Sequence, residues 1–123
     1  MNDLTYETFP DRLRATVHGF DRVYEDHVVE YGEVLPHVLL GELVRFLSAE
    51  AIAHGPESAV LKQAVLLLER GMASSDPRVQ ELVAVSFLEN LDPGDPAFPT
   101  LRKLFGVRLE NQYREYEKAA ERR

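Results

Sequence analysis

The chain has 123 residues, 45% of them hydrophobic, and no cysteine, enough for one domain with its own core and without disulfides, thiolate zinc sites or a cysteine nucleophile. Its net charge of −7 speaks against nucleic acid and anionic lipid as partners and in favour of basic proteins. Ten acidic residues against four arginines lie within 1–55, so the acidity belongs to the N-terminal half. Residues 1–12 carry neither the basic start nor the apolar run of a signal peptide. The longest apolar run, Ala64 to Leu68, is far shorter than the ~18 residues of a membrane span, and a cytoplasmic chain is expected.

Residues 1–9 are expected to be a flexible N-terminus. Pro10 suits the first turn of a helix, where its missing N–H is no loss. From there Leu13, Val17, Phe20, Tyr24, Val28 and Tyr31 recur at steps of three and four, one apolar stripe along about six turns. Gly19 weakens that helix by about 1 kcal/mol relative to alanine and marks a point where it can break. Gly32 is a suitable stop. Pro36 opens a second helix through Leu39, Leu40, Leu43, Phe46, Leu47 and Ala51, ended by His54 and Gly55, and Pro56 opens a third through Leu61, Ala64, Val65, Leu68 and Met72. Asp76 and Pro77 read as the N-cap and first residue of a fourth helix. Its apolar residues, from Val79 to Leu91, fall on more than one face, which predicts a central position. The Pro/Gly-rich stretch 92–99 reads as a linker. Thr100 is placed to cap a last helical region with a kink at Gly106 and a fraying tail over 117–123.

Residues 66–91, LLLERGMASSDPRVQELVAVSFLENL, resemble a HEAT-type helical repeat unit: a leucine-rich helix, an Asp-Pro turn, Val79 two residues after the proline, and a second apolar helix. The fold expected for 1–123 is therefore all-α, a single compact bundle of about five helices stacked as HEAT-like antiparallel hairpins. HEAT-type domains mostly bind proteins, and the resemblance implies that activity. The phrases Leu35-Pro36-His37, Gly41-Glu42-Leu43 and Phe87-Leu88-Glu89-Asn90-Leu91 are similar to small bacterial helical proteins, some of which accompany toxins as immunity-type partners.

Side chains for chemistry are sparse. His27 and Glu30 share a helix face, which allows a surface metal contact, but an exposed polar pair is the plainer reading. His37 can meet Glu33 or Glu42 as a hydrogen-bonded histidine. No serine lies in a Gly-x-Ser-x-Gly elbow, no glycine-rich phosphate loop occurs, and Ser86 reads as a small residue permitting close packing. No enzyme activity, metal or cofactor is expected. The C-terminal arginines and lysines alternate with glutamates, so no nucleic-acid surface is expected either.

The best-supported site is the acidic surface of the first helical stretch: Asp21, Glu25, Asp26, Glu30 and Glu33. Like charges three and four residues apart weaken a helix by a few tenths of a kcal/mol each, a loss that a basic partner would offset. Tyr24 and Tyr31 are candidates for an aromatic edge beside it. The function expected is a non-enzymatic protein-binding module for a basic protein, with an immunity-type toxin inhibitor as its specific form. The alternatives are a structural domain whose exposed apolar residues close a homodimer, and a small ligand- or metal-binding protein.

Overall fold

The structure is a computed structural model and describes residues 4–122. It is all-α, with seven α-helices: α1 (Phe9–Thr16), α2 (Phe20–Tyr31), α3 (Pro36–His54), α4 (Ala59–Met72), α5 (Pro77–Glu81), α6 (Phe98–Lys103) and α7 (Val107–Glu121). The count exceeds the expected five because two stretches divide. Gly19 adopts φ +88°, which an L side chain resists, and it separates α1 from α2. A turn ending at Gly106 likewise replaces the expected kink between α6 and α7.

Most boundaries follow local chemistry. Gly32, at φ +76°, closes α2 with its N–H donating to the Val28 carbonyl, and Gly55 ends α3. The Asp76 side chain accepts from the Arg78 N–H at the start of α5. Two starts differ from expectation. Pro56 lies in a short 3₁₀ turn (Gly55–Glu57), and α4 begins only after Ser58, whose hydroxyl accepts from the Leu61 N–H. Thr100 lies inside α6, not at its cap.

The segment 92–99 is a packed turn and not a free linker. Asp92 accepts from the Gly94 N–H and Asp95 from the Ala97 N–H, and Leu91 and Ala97 are buried at either end.

Beyond Glu81 the chain continues as a π-helical stretch (Leu82–Phe87) and a 3₁₀ turn (Leu88–Asn90). Leu82 and Phe87, and likewise Val83 and Leu88, stand five residues apart, and all four are fully buried. In a regular α-helix each pair would diverge by about 140°, whereas the i→i+5 turn brings both members to one side. Asn90 Nδ2 donates to the Ser86 carbonyl at 2.8 Å. Val85 is exposed, so the stretch is not enclosed on every side as a fully central helix would be.

The core runs between α3 and α4. Leu39, Leu40, Leu43 and Leu47 of α3 and Leu61, Ala64 and Leu68 of α4 are fully buried; α3 packs against α2, α6 and the π stretch, and α4 against α1, α5 and α7. Burying each of these leucines stabilises by roughly 1.5–3 kcal/mol. On the far side the Glu69 carboxylate reaches from α4 to accept the N–H groups of Arg108 and Leu109 at 2.6 and 3.1 Å. A side chain at Gly106 would collide with that carboxylate at 2.6 Å. Arg102 ties α6 to α7 through Glu110 and Glu117 and lies 4.9 Å over the Tyr113 ring.

The expected flexible N-terminus is packed from Leu4 onward, while residues 1–3 of that expectation lie outside the described residues. Leu4 is buried and its carbonyl accepts from Ser74 Oγ. The Tyr6 N–H donates to Asp76 Oδ2 at 2.9 Å, and Glu7 pairs with Arg78 at 2.7 Å. The Arg78 side chain, then the Tyr6 N–H, hold the Asp76 carboxyl at about 2, down from 3.8. A depressed folded-state value means that this stabilisation is present above the usual aspartate range and is lost as pH falls through about 2. Asp76→Asn should therefore be less stable than the parent at pH 7, with the difference closing between pH 4 and 2 in urea titrations at stepped pH. A constant difference across that range would refute the linkage.

Candidate functional site

Gly19 and Gly32 delimit α2, and its inward face is fixed by Phe20, Tyr24 and His27, all buried. The outward face carries Glu25, Asp26, Val29 and Glu30, all exposed, and Glu33 follows exposed after Gly32. Val29 is 86% exposed and stands four residues from Glu25 and three from Asp26, hence beside both. Asp21 is exposed at the opposite end, where it lines a shallow hollow with Arg14, His18 and Arg22. The structure thus gathers Glu25, Asp26 and Glu30 around Val29, with Glu33 just beyond, and leaves Asp21 among cations.

None of Asp21, Glu25, Asp26, Glu30 or Glu33 has an ion pair or side-chain hydrogen bond among the described residues. Elsewhere Glu7 and Asp76 share Arg78, and Glu110 and Glu117 share Arg102. Arg102 in particular holds the Glu110 carboxyl below its usual range. The last turn of α2 holds no basic residue, so Glu30 faces the negative end of the helix dipole without relief.

Of the expected aromatic edge only Tyr31 stands at the surface, 41% exposed. Tyr24 is a correction: it is buried, its hydroxyl donates to Asp11 Oδ1 at 3.1 Å, and Arg14 lies over its ring at 4.8 Å. Burial, then the Asp11 bond, push its phenol up. Tyr24 lies on the stripe that faces the core and cannot also serve an outer edge. Val29 takes its place in the exposed surface. The signal was available in the sequence, since Val29 lies off the Leu13–Tyr31 stripe and in the middle of the carboxylates.

The histidines are also rearranged. His27 is 1% exposed and does not pair with Glu30. Its Nε2 accepts from the Leu35 N–H at 2.9 Å, and its Nδ1 lies 2.7 Å from Glu42 Oε1. An acceptor at Nε2 leaves the proton on Nδ1, so a neutral imidazole donates to the Glu42 carboxylate. His37 meets neither Glu33 nor Glu42. Its Nδ1 is hydrogen-bonded to Ser86 Oγ and its ring stands 6.2 Å from that of Tyr6. Ser86 is buried, as expected of a close-packed small residue. No carboxylate accompanies His37 on its other nitrogen among the described residues, so this pair does not extend into a three-group relay.

Between α2 and α3 runs a groove of about 380 Å³ lined by Val23, Asp26, His27, Glu30, Glu42, Arg45 and Phe46. Its lining combines apolar side chains with three carboxylates. Among the described residues no group of three or more His, Asp or Glu is arranged to hold a metal ion. Among the described residues no helix is long and apolar enough to cross a membrane.

No curated protein and no solved structure matches the chain. Residues 10–120, spanning all seven helices but for Phe9 at the start and Glu121 at the end, match a family described as a domain of unknown function, DUF7674, and the chain belongs to that family.

Proposed function

We propose that this chain is a non-enzymatic binding module that docks a basic protein on the outer face of α2. The observation that carries the reading is the row Glu25, Asp26, Glu30 and Glu33, all exposed and without a cationic partner among the described residues, set around an exposed Val29. An apolar centre ringed by like charge suits a partner whose apolar residue is flanked by lysine or arginine. An immunity-type inhibitor of a basic toxin is the specific form proposed, and the HEAT-like reading of residues 66–91 accords with a protein-binding role.

A tagged pulldown from native extract tests it, at low salt and at about 0.5 M, where screening acts over only a few Å. The expected result is a stoichiometric basic protein at low salt, released at high salt. Its capture should fall about 100-fold in the triple variant Glu25→Lys, Asp26→Lys, Glu30→Lys. Equal capture by that variant would overturn the reading. So would a preparation holding only this chain, self-associated at both salts. That result would favour a homo-oligomer closed by exposed apolar residues such as Leu66 and Val107, 64% and 74% exposed.

A further inference from the structure

A second groove, of about 290 Å³, runs between α4 and the turn that joins α6 to α7. Val65, Leu66 and Leu104 give it apolar walls, and Gly106 adds bare backbone. Leu66 is 64% exposed, and Val107, the residue after Gly106, is 74% exposed. The lining holds two charged residues, Lys62 and Glu69. Both oxygens of the Glu69 carboxylate already accept N–H groups at the start of α7, so its charge is met within the chain. Lys62 stands one turn from Leu66 and pairs with Glu57 at 3.5 Å, the two side chains being 53% and 90% exposed. A contact that open to water holds weakly. Lys103, directly before Leu104, and Arg108, directly after Val107, are exposed and make no ion pair among the described residues.

In a chain of net charge −7, this is an apolar hollow accompanied by cations that lack strong partners. A leucine or phenylalanine side chain suits a hollow of that size, and an apolar anchor seated in a pocket is the usual centre of a binding surface. The charges select what surrounds the anchor. A second copy laid on this face about a two-fold axis would set Lys62, Lys103 and Arg108 against the same three residues of its partner, a like-charge contact that disfavours the pair. A segment with carboxylates on either side of its anchor would meet the same cations favourably. We propose that the groove between α4 and the α6–α7 turn docks an acidic segment of a partner protein. A leucine or phenylalanine of that segment sits against Leu66 and Leu104, and its carboxylates lie beside Lys62, Lys103 and Arg108. The groove shares no residue with the outer face of α2, so this surface stands or falls separately from the one proposed there.

The probe is the peptide acetyl-Glu-Asp-Leu-Phe-Asp-Glu-amide, titrated into the isotope-labelled full chain at low salt and followed by NMR. Shift changes should centre on the amides of Leu66, Leu104, Gly106 and Val107, with half-saturation at about 1 mM or below. A peptide with lysine at its acidic positions should bind about tenfold more weakly or worse. One with alanine in place of leucine and phenylalanine should shift none of these amides. Leu66→Ser, a change at an exposed position, should weaken the acidic peptide about tenfold. Lys103→Glu with Arg108→Glu should do the same, whereas Arg122→Glu, at the far end of α7, should change nothing. Absence of binding at millimolar peptide, shifts centred elsewhere, or indifference to Leu66→Ser overturns the groove as a docking site. Equal binding of the lysine peptide, or indifference to Lys103→Glu with Arg108→Glu, overturns the acidic partner. Sedimentation of the chain alone as a dimer that Leu66→Ser returns to monomer would make a second copy the occupant and overturn the proposal as well.

Discussion

Phe9→Ala should lower the unfolding free energy by about 4 kcal/mol, the upper range for an aromatic removed from a core. Phe9 opens α1 and is fully buried. Its ring rests on Gly71 of α4, where even a methyl group would come within 3.1 Å of it. Val83 of the π stretch borders the same spot, 3.2 Å from that position. With α1, α4 and the π stretch all meeting there, the walls of the resulting cavity cannot easily collapse, which places the loss high in the range. Urea unfolding should show a lower midpoint with an unchanged slope. A loss below about 1 kcal/mol would mean that the first helix adds little to the core, as a flexible N-terminus would have implied.

His27→Leu is the second large effect, about 3 kcal/mol. Leucine matches the imidazole roughly in volume, so the loss is polar and not a matter of space. Two groups are stranded together: the Leu35 N–H, half-buried, and the Glu42 carboxylate, 14% exposed. Adding Glu42→Leu should recover a good part of the loss, because removing both partners of a buried polar pair is far milder than removing one. A double-mutant cycle on thermal or urea unfolding gives the coupling directly. Strict additivity of the two substitutions would refute the pairing described here.

What could be read from the sequence divides by distance along the chain. Gly32, Gly55, Asp76 and Pro77 act on backbone within four residues, and each ends or begins a helix where its chemistry says it should. The same local logic misplaced the start of α4. Both Pro56 and Ser58 are plausible openers, and the Ser58 hydroxyl, bonded to Leu61 and to Glu50 of α3, decides between them. The π stretch has no glycine or proline to announce it. Its cause is the need to bury Leu82 with Phe87 and Val83 with Leu88, which only tertiary packing imposes.

The candidate site shows the same divide. The exposure of Glu25, Asp26, Glu30 and Glu33 follows from helical period alone, whereas the burial of His27 depends on Glu42, fifteen residues away on another helix. Tyr24 illustrates a conflict inside the sequence itself, since one residue was asked to serve both an inward stripe and an outward edge. The core satisfied the first requirement and Asp11 took the hydroxyl.

The segment that crosses the α4–α5 turn bears on the order of events in folding. Its bonds join Leu4 to Ser74 and Tyr6 to Asp76, 70 residues apart, so closing it requires a long loop and the attendant chain entropy. The contacts between neighbouring helices are far more local and can assemble first. Residues 4–9 should thus be among the last to find their place, closing like a clasp on a nearly finished structure. Contacts made after the rate-limiting step govern how slowly a protein comes apart, not how fast it forms. Loosening residues 4–9, for example by Ser74→Ala, should accordingly speed unfolding and leave the folding rate nearly unchanged in stopped-flow urea jumps.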